Sequence, residues 1–104
     1  MPRFIVRPAA ELEITTAFEW YELQREGLGL EFLNAVEATL ALIRRSPLMF
    51  PVVYRDIRRA LLRKFPYSLY YIASSPVTRV IACVHARQSP RRWQDRSESE
   101  RADA

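Results

Sequence analysis

The chain of 104 residues contains one cysteine, one histidine and one lysine, and these scarcities exclude several kinds of site. With Cys83 alone an intrachain disulfide cannot form, and one thiol beside one imidazole argues against a zinc site. No apolar run is long enough for a signal peptide or a membrane span, so we expect a cytoplasmic protein without a membrane partner. Glycine-rich phosphate loops, HExxH and paired catalytic carboxylates are also missing, which argues against nucleotide hydrolases and metalloproteases. The sequence therefore indicates no metal and no cofactor.

Acidic side chains are scarce in the second half of the chain. Residues 1–54 carry five arginines and seven glutamates, whereas residues 55–96 carry ten basic and two acidic side chains. Nearly all of this positive charge is arginine, whose planar guanidinium pairs with phosphates and carboxylates. A GC-rich genome would explain the choice of arginine over lysine, but not its collection in one half. The asymmetry indicates a polyanionic partner, either a nucleic acid or an acidic protein.

The only two glycines, Gly27 and Gly29, fall between two segments with helical periodicity. Apolar residues at spacings of three and four predict one helix from about Ala9 to Arg25 and a second from about Leu30 to Arg45. Gly27 suits a left-handed helix end, and so short a link predicts an antiparallel helical hairpin.

Strand patterns occupy much of the remaining chain. A short strand at 3–7 precedes the hairpin, and a proline-bounded loop at 46–54 follows it. Three further strands, rich in β-branched and aromatic residues, are predicted at 57–65, 67–73 and 78–85. Because their links are short, these three are expected to form an antiparallel meander.

The predicted fold class is α+β, with the order β-α-α-β-β-β. The hairpin has one apolar face, so we expect it to pack on an antiparallel sheet as a two-layer sandwich. Residues 1–96 form a single domain in this prediction, which ends in one or two helical turns at 89–96. Residues 97–104 are predicted to be a polar flexible tail.

Three segments at compatible spacing resemble the RelE/ParE superfamily of toxins. They are WYELQREGLGLEFL in the hairpin, RRALLRKFPYSLYY in the meander and VIACVHARQSPRRW at its end, and the similarity runs from Arg3 to Trp93. The resemblance implies the toxin of a type II toxin–antitoxin system, of the plasmid stabilisation type. Such a toxin inhibits growth until a cognate antitoxin, expected here to be an acidic protein, binds it in a hetero-oligomeric complex.

The resemblance implies one of two activities, and the sequence favours the first. ParE-like members bind DNA gyrase, whereas RelE-like members cut messenger RNA on the ribosome. Ser68 stands where the nucleases have an arginine, and Trp93 lies near the position of a tyrosine. A tryptophan has no titratable proton. We therefore expect gyrase as the target, with an endoribonuclease and a degenerate, non-toxic relative as the alternatives.

The candidate site residues lie in the basic half of the chain. Arg87 and His85 are the candidates for catalysis if the protein is a nuclease, His85 because imidazole titrates near neutral pH. Cys83 is predicted to be a buried filler rather than a nucleophile. For Trp93 we favour a ring folded back on the edge of the core. The full set of candidates for binding the target or the antitoxin is Arg58, Arg59, Arg63, Arg87, Arg91, Arg92 and Trp93.

Period-two alternation divides the last strand into two faces. The face with Val80, Ala82 and Val84 is uniformly apolar, so it is predicted to meet the helices. Cys83, His85 and Arg87 would then face a partner, on the same side as Arg59 and Arg63. We expect a partly disordered acidic antitoxin segment to fold onto this basic face.

Overall fold

The computed structural model describes residues 3–74 and 76–102, without the side chains of 101 and 102. Its elements are β1 (Arg3–Val6), α1 (Pro8–Gln24), α2 (Leu28–Arg45), β2 (Val52–Tyr54), β3 (Ile57–Leu61), β4 (Tyr67–Ile72), β5 (Val77–His85) and α3 (Arg91–Ala102). The strands form one sheet in the order β1-β5-β4-β3-β2. The predicted α+β fold, with an N-terminal helical hairpin on a sheet, is confirmed.

The sheet is mixed and has one strand more than expected. β1 pairs parallel with β5, a long-range pairing that no local pattern reveals, while the other neighbours are antiparallel. The segment predicted as a loop at 46–54 contains β2, and Pro47 and Pro51, which both precede this strand, favour the loop prediction. Pro51 cannot donate to the ladder, but its carbonyl accepts a hydrogen bond from the Arg59 N–H (3.1 Å).

For residues 97–102, a third layer corrects the prediction of a polar flexible tail, whereas residues 103 and 104 of that predicted tail lie outside the described residues. α3 continues to Ala102 and packs on the sheet face opposite the hairpin. Ser97 and Glu100 are buried, and the Glu100 carboxylate pairs with Arg7 (3.0 Å) and Arg79 (3.6 Å). Because these partners lie far away in the sequence, local composition does not reveal them. The polar composition of the segment by itself predicts a frayed end.

The hairpin is closed by a side chain as well as by its glycines. Gly27 has a left-handed φ of +89°, but it precedes α2 and does not cap α1, whose C-cap is the extended Arg25. The Glu22 carboxylate accepts hydrogen bonds from the N–H groups of Gly27 (3.1 Å) and Gly29 (2.9 Å). These bonds satisfy donors that the start of a helix otherwise leaves unpaired, so α2 begins before Gly29 rather than after it.

Within residues 3–74 and 76–102, no helix has both the length and the apolar character required to cross a membrane.

Candidate functional site

Three basic residues meet at one end of the sheet. The β3–β4 turn holds Arg63 and Lys64, and the turn after β5 holds Arg87. The two turns are neighbours because the Leu62 N–H donates to Tyr67 O (2.9 Å) and the Ala86 N–H donates to Pro66 O (2.8 Å). All three side chains are exposed, and no carboxylate of the described residues pairs with them. We call Arg63, Lys64 and Arg87 the basic end.

A groove of about 560 Å³ opens between α1 and this end of the sheet. Its apolar wall includes Leu12 and Trp20, which are 67% and 55% exposed and so present surface that a partner could bury. Tyr67 continues the wall onto the sheet, where its ring meets Tyr21 edge-on at 6.1 Å. The polar lining comes from Glu13, Thr16, Cys83, His85, Gln88 and Arg92. We call this surface the α1–β5 groove.

A β-bulge in β5 reverses the predicted faces of its second half. Tyr70 pairs with Ala82 but Tyr71 pairs with Val80, so Ile81 is an extra residue on β5. Alternation therefore slips by one: Ala82 and Val84 pack towards α3, whereas Val80 and Cys83 pack towards the hairpin. The prediction that Cys83 and His85 face away from the helices is wrong.

His85 stabilises the turn that follows β5. Its Nδ1 accepts a hydrogen bond from the Arg87 N–H (3.0 Å), and its own N–H donates to Gln88 Oε1 (2.9 Å). The ring also meets Tyr67 edge-on at 5.1 Å. Since Nδ1 is an acceptor, the neutral ring carries its proton on Nε2 and has no lone pair left to act as a base. Among the described residues no carboxylate bonds to His85, so the side chain lacks the orienting group that a general base needs.

Cys83 is buried, as predicted, and its thiol is hard to ionise. Desolvation by burial raises the pKa of its thiol to about 12, and the nearby Glu13 carboxylate acts in the same direction. The thiolate, which is the reactive form, is therefore a negligible fraction at neutral pH.

Glu13 is the residue of this region that sequence reasoning missed. One carboxylate oxygen accepts from the Cys83 N–H (2.9 Å) and Arg96 Nη1 (2.8 Å), and the other accepts from Arg96 Nη2 (2.8 Å) and Arg92 Nε (3.2 Å). Desolvation raises the pKa of this carboxyl, but the bonds from Arg96, Cys83 and Arg92 together outweigh it, so the net shift is downward. Glu13 thus joins α1, β5 and α3 at the back of the groove. A glutamate on a helix gives no sequence signal for bonds to residues so distant.

The predicted binding arginines do not form one surface. Arg63, Arg87 and Arg91 are exposed at or beside the basic end, and Arg92 reaches the groove but is tied to Glu13. The prediction that Arg59 and Arg63 share a strand face is corrected, because β3 ends at Leu61 and Arg63 lies in the turn beyond it.

Arg58 and Trp93, two of the predicted binding residues, both make contacts within the chain. The Arg58 guanidinium donates to the carbonyls of Phe50 (2.7 Å) and Leu48 (3.2 Å), so it holds the loop before β2 in place. The Trp93 ring is buried and stacks on Tyr70, with the ring centroids 4.2 Å apart. It seals the core between α3 and the sheet, which matches the favoured interpretation. Ser68 is also buried, on the sheet face away from the groove.

The described residues contain no group of three or more histidine, cysteine, aspartate or glutamate side chains placed to hold a metal ion.

The comparisons with known proteins identify the fold. No protein-family model and no curated protein matches the chain. Among solved structures, the chain is similar to one from a structure described as "Chromosomal ParDE TA system from P. aeruginosa", with a TM-score of 0.63 and 12% identity. The alignment covers 82% of this chain and 96% of that one. At this identity the likeness is one of fold, and it confirms the ParE-like fold that the three sequence segments predict.

Proposed function

We propose that this protein is the toxin of a type II toxin–antitoxin system, which inhibits growth and is neutralised by a cognate acidic antitoxin. The observation that carries the proposal is the α1–β5 groove with the basic end beside it, on a fold like that of a chain from a ParDE system. An apolar groove with an unpaired basic rim fits an acidic segment that inserts apolar side chains. The antitoxin segment therefore docks in this groove, and not on the sheet face that α3 covers.

The chemistry of the groove favours action by binding. Cutting RNA would need a base for the ribose hydroxyl, a stabiliser for the phosphorane and an acid for the leaving oxygen. The basic end could supply the stabiliser. The groups of the groove that could accept a proton are engaged or hard to ionise: His85 Nδ1 accepts a backbone bond, the Cys83 thiol is buried, and Glu13 is bonded to two arginines. Burial raises the pKa of the Tyr21 and Tyr67 phenols. We accordingly propose DNA gyrase, rather than ribosome-bound messenger RNA, as the target.

Two measurements on the same material test the target. Purified chain is added to a gyrase supercoiling assay, and messenger RNA from cells arrested by the chain is mapped by primer extension. The proposal expects inhibited supercoiling and unchanged RNA 5′ ends.

New ends inside translated codons, with supercoiling unaffected, would instead assign the nuclease. In that case Arg87→Ala should abolish cutting, because a lost contact to the charged transition state costs about 3 kcal/mol.

A further inference from the structure

A second exposed apolar surface lies at the opposite edge of the sheet from β1. Of the nine large apolar side chains that are exposed among the described residues, five belong to β2, the loop before it or the adjoining β3. α3 contacts β2 at Tyr54, whose ring meets the Trp93 ring edge-on at 6.1 Å, but these five side chains remain exposed. We call this surface the β2 edge, formed by Leu48, Met49, Val52, Val53 and Leu61.

The backbone of β2 offers unpaired hydrogen-bonding groups along this edge. β2 ends the sheet order, so only one of its sides is paired. Arg59 donates to Pro51 O, and Val52 stands opposite Arg58 in the register. Residues that face each other in an antiparallel ladder alternate between hydrogen-bonded and non-hydrogen-bonded pairs. The bond between Arg59 and Pro51 makes Val52 and Arg58 a non-hydrogen-bonded pair, so the N–H and C=O of Val52 point away from β3. An extended segment from another protein could pair with them as a sixth strand.

Charge decides what kind of segment fits. Residues 46–61, from the loop before β2 to the end of β3, carry three basic side chains and one acidic side chain, a net charge of +2. Arg59 is exposed on β3 beside Leu61, and no carboxylate of the described chain pairs with it. A second copy of the chain would bring the same positive charge against itself, which is repulsive. An acidic segment would be attracted: its acidic side chains would lie on the sheet face of Arg59, and its apolar side chains on the other face, beside Val52.

The geometry points to the β2 edge as a docking site for an extended protein segment that alternates apolar and acidic residues. The site lies on β2 and β3, whereas the α1–β5 groove lies between α1 and β5, so the two surfaces share no lining residue. A protein held in the groove would thus leave the β2 edge open to a second partner. This assignment does not depend on the toxin role.

The test uses a short blocked peptide of alternating valine and glutamate, labelled for fluorescence anisotropy, with a valine–lysine peptide as its control. The acidic peptide should bind the full chain and slow hydrogen exchange of the Val52 amide. Val52→Pro removes the outward N–H without touching the Arg59–Pro51 bond, so it should weaken binding roughly fivefold to tenfold. Val52→Thr, which keeps both the N–H and the β-branched shape, should bind like the wild type. Arg59→Glu should weaken binding further and reduce its salt dependence.

Three outcomes would overturn the assignment. The first is equal binding of the acidic and basic peptides. The second is protection of amides on α1 or β5 instead of Val52. The third is a concentration-dependent dimer, seen by sedimentation, that Val52→Pro abolishes, because the β2 edge would then be an interface between two copies of the chain. If Val52→Pro melts early, the loss of binding in Arg59→Glu tests the same surface, and unchanged binding of that variant would equally overturn the assignment. Failure here would leave growth arrest by the chain unaffected, so the two proposals are tested separately.

Discussion

Glu13 shows how one buried charge can fix the site. Its carboxylate is 10% exposed and is held by two arginines and a backbone N–H. Beyond the end of β1 the edge of β5 has no neighbouring strand. There the Glu13 carboxylate accepts a hydrogen bond from the Cys83 N–H, and the Arg96 guanidinium donates one to the Ile81 carbonyl (2.8 Å). These side chains therefore satisfy backbone groups that would otherwise be buried unpaired at the back of the groove.

Replacing Glu13 by glutamine should destabilise the protein at neutral pH by about 2–3 kcal/mol, because Arg96 loses its buried charge partner. The folded pKa of Glu13 lies below its ordinary value of 4.5. Its charge therefore stabilises the fold fully above that value, and this stabilisation is lost as the pH falls through the folded pKa. Thermal melts should show a large difference between wild type and variant at pH 7 and a smaller one near pH 3.

The matched control is Glu98→Gln, which breaks the exposed pair with Arg55 (3.0 Å). This substitution should change stability by less than about 1 kcal/mol. Equal effects at the two glutamates, or a Glu13 effect that does not shrink in acid, would contradict the structural role of Glu13.

Alanine substitutions of the two tryptophans should affect different properties, one the stability of the fold and the other the binding of the antitoxin. Trp93→Ala removes the ring stacked on Tyr70 and should lower the free energy of unfolding by about 3–4 kcal/mol. Trp20→Ala removes a half-exposed groove residue, so it should cost less than about 1 kcal/mol of stability but weaken antitoxin binding at least tenfold. Denaturant unfolding and calorimetric titration measure the two quantities. If Trp20→Ala bound as tightly as wild type, the antitoxin would dock outside the groove.

Among the elements, the start of α2 is the most tightly constrained. A Cβ at Gly29 would lie 2.7 Å from the Phe18 ring and 2.8 Å from the Glu22 carboxylate. A Cβ at Gly27 would meet nothing within 4 Å, but its φ of +89° favours glycine or asparagine. The first glycine of the turn is needed for its backbone angle and the second for close packing of the two helices.

Gly29→Ala should therefore destabilise the hairpin by about 1–3 kcal/mol through overpacking. Gly27→Asn, which can adopt the left-handed conformation, should cost less than about 1 kcal/mol. Urea unfolding of both variants checks the difference. A neutral Gly29→Ala would mean that Phe18 moves aside without strain.

Local patterns predict the hairpin and β1, β4 and β5 to within a residue or two, because their periodicity and punctuation lie within each segment. They miss what depends on distant partners. β2 forms by pairing with β3, and the final turns of α3 are held by the ion pairs of Glu100 with Arg7 and Arg79. The bulge at Ile81 depends on the register of β5 with β4. The bulge alone moves Cys83 and His85 to the groove side. The type of residue at the site was thus predictable, but the face on which it lies was not.

For the whole molecule, the distribution of charge should govern how fast partners meet. Arg63→Glu with Arg87→Glu reverses two charges of the basic end and should slow antitoxin association roughly tenfold, with a weaker salt dependence. Arg44→Glu with Arg45→Glu makes the same change in net charge at the end of α2, near the opposite end of the sheet. This control should leave the association rate nearly unchanged. If the association rate measured by stopped flow fell equally for both double variants, it would depend on the net charge of the chain and not on the basic end.

Growth of bacteria that express the chain tests the proposed toxin role. The soluble wild-type protein is induced alone, and then together with its proposed acidic antitoxin, and colonies are counted. We predict that colony counts fall by orders of magnitude with the chain alone and return with the antitoxin, but that Trp20→Ala in the chain weakens this rescue. Undiminished colony counts after strong induction of soluble wild-type protein would contradict the proposal that the chain is a toxin.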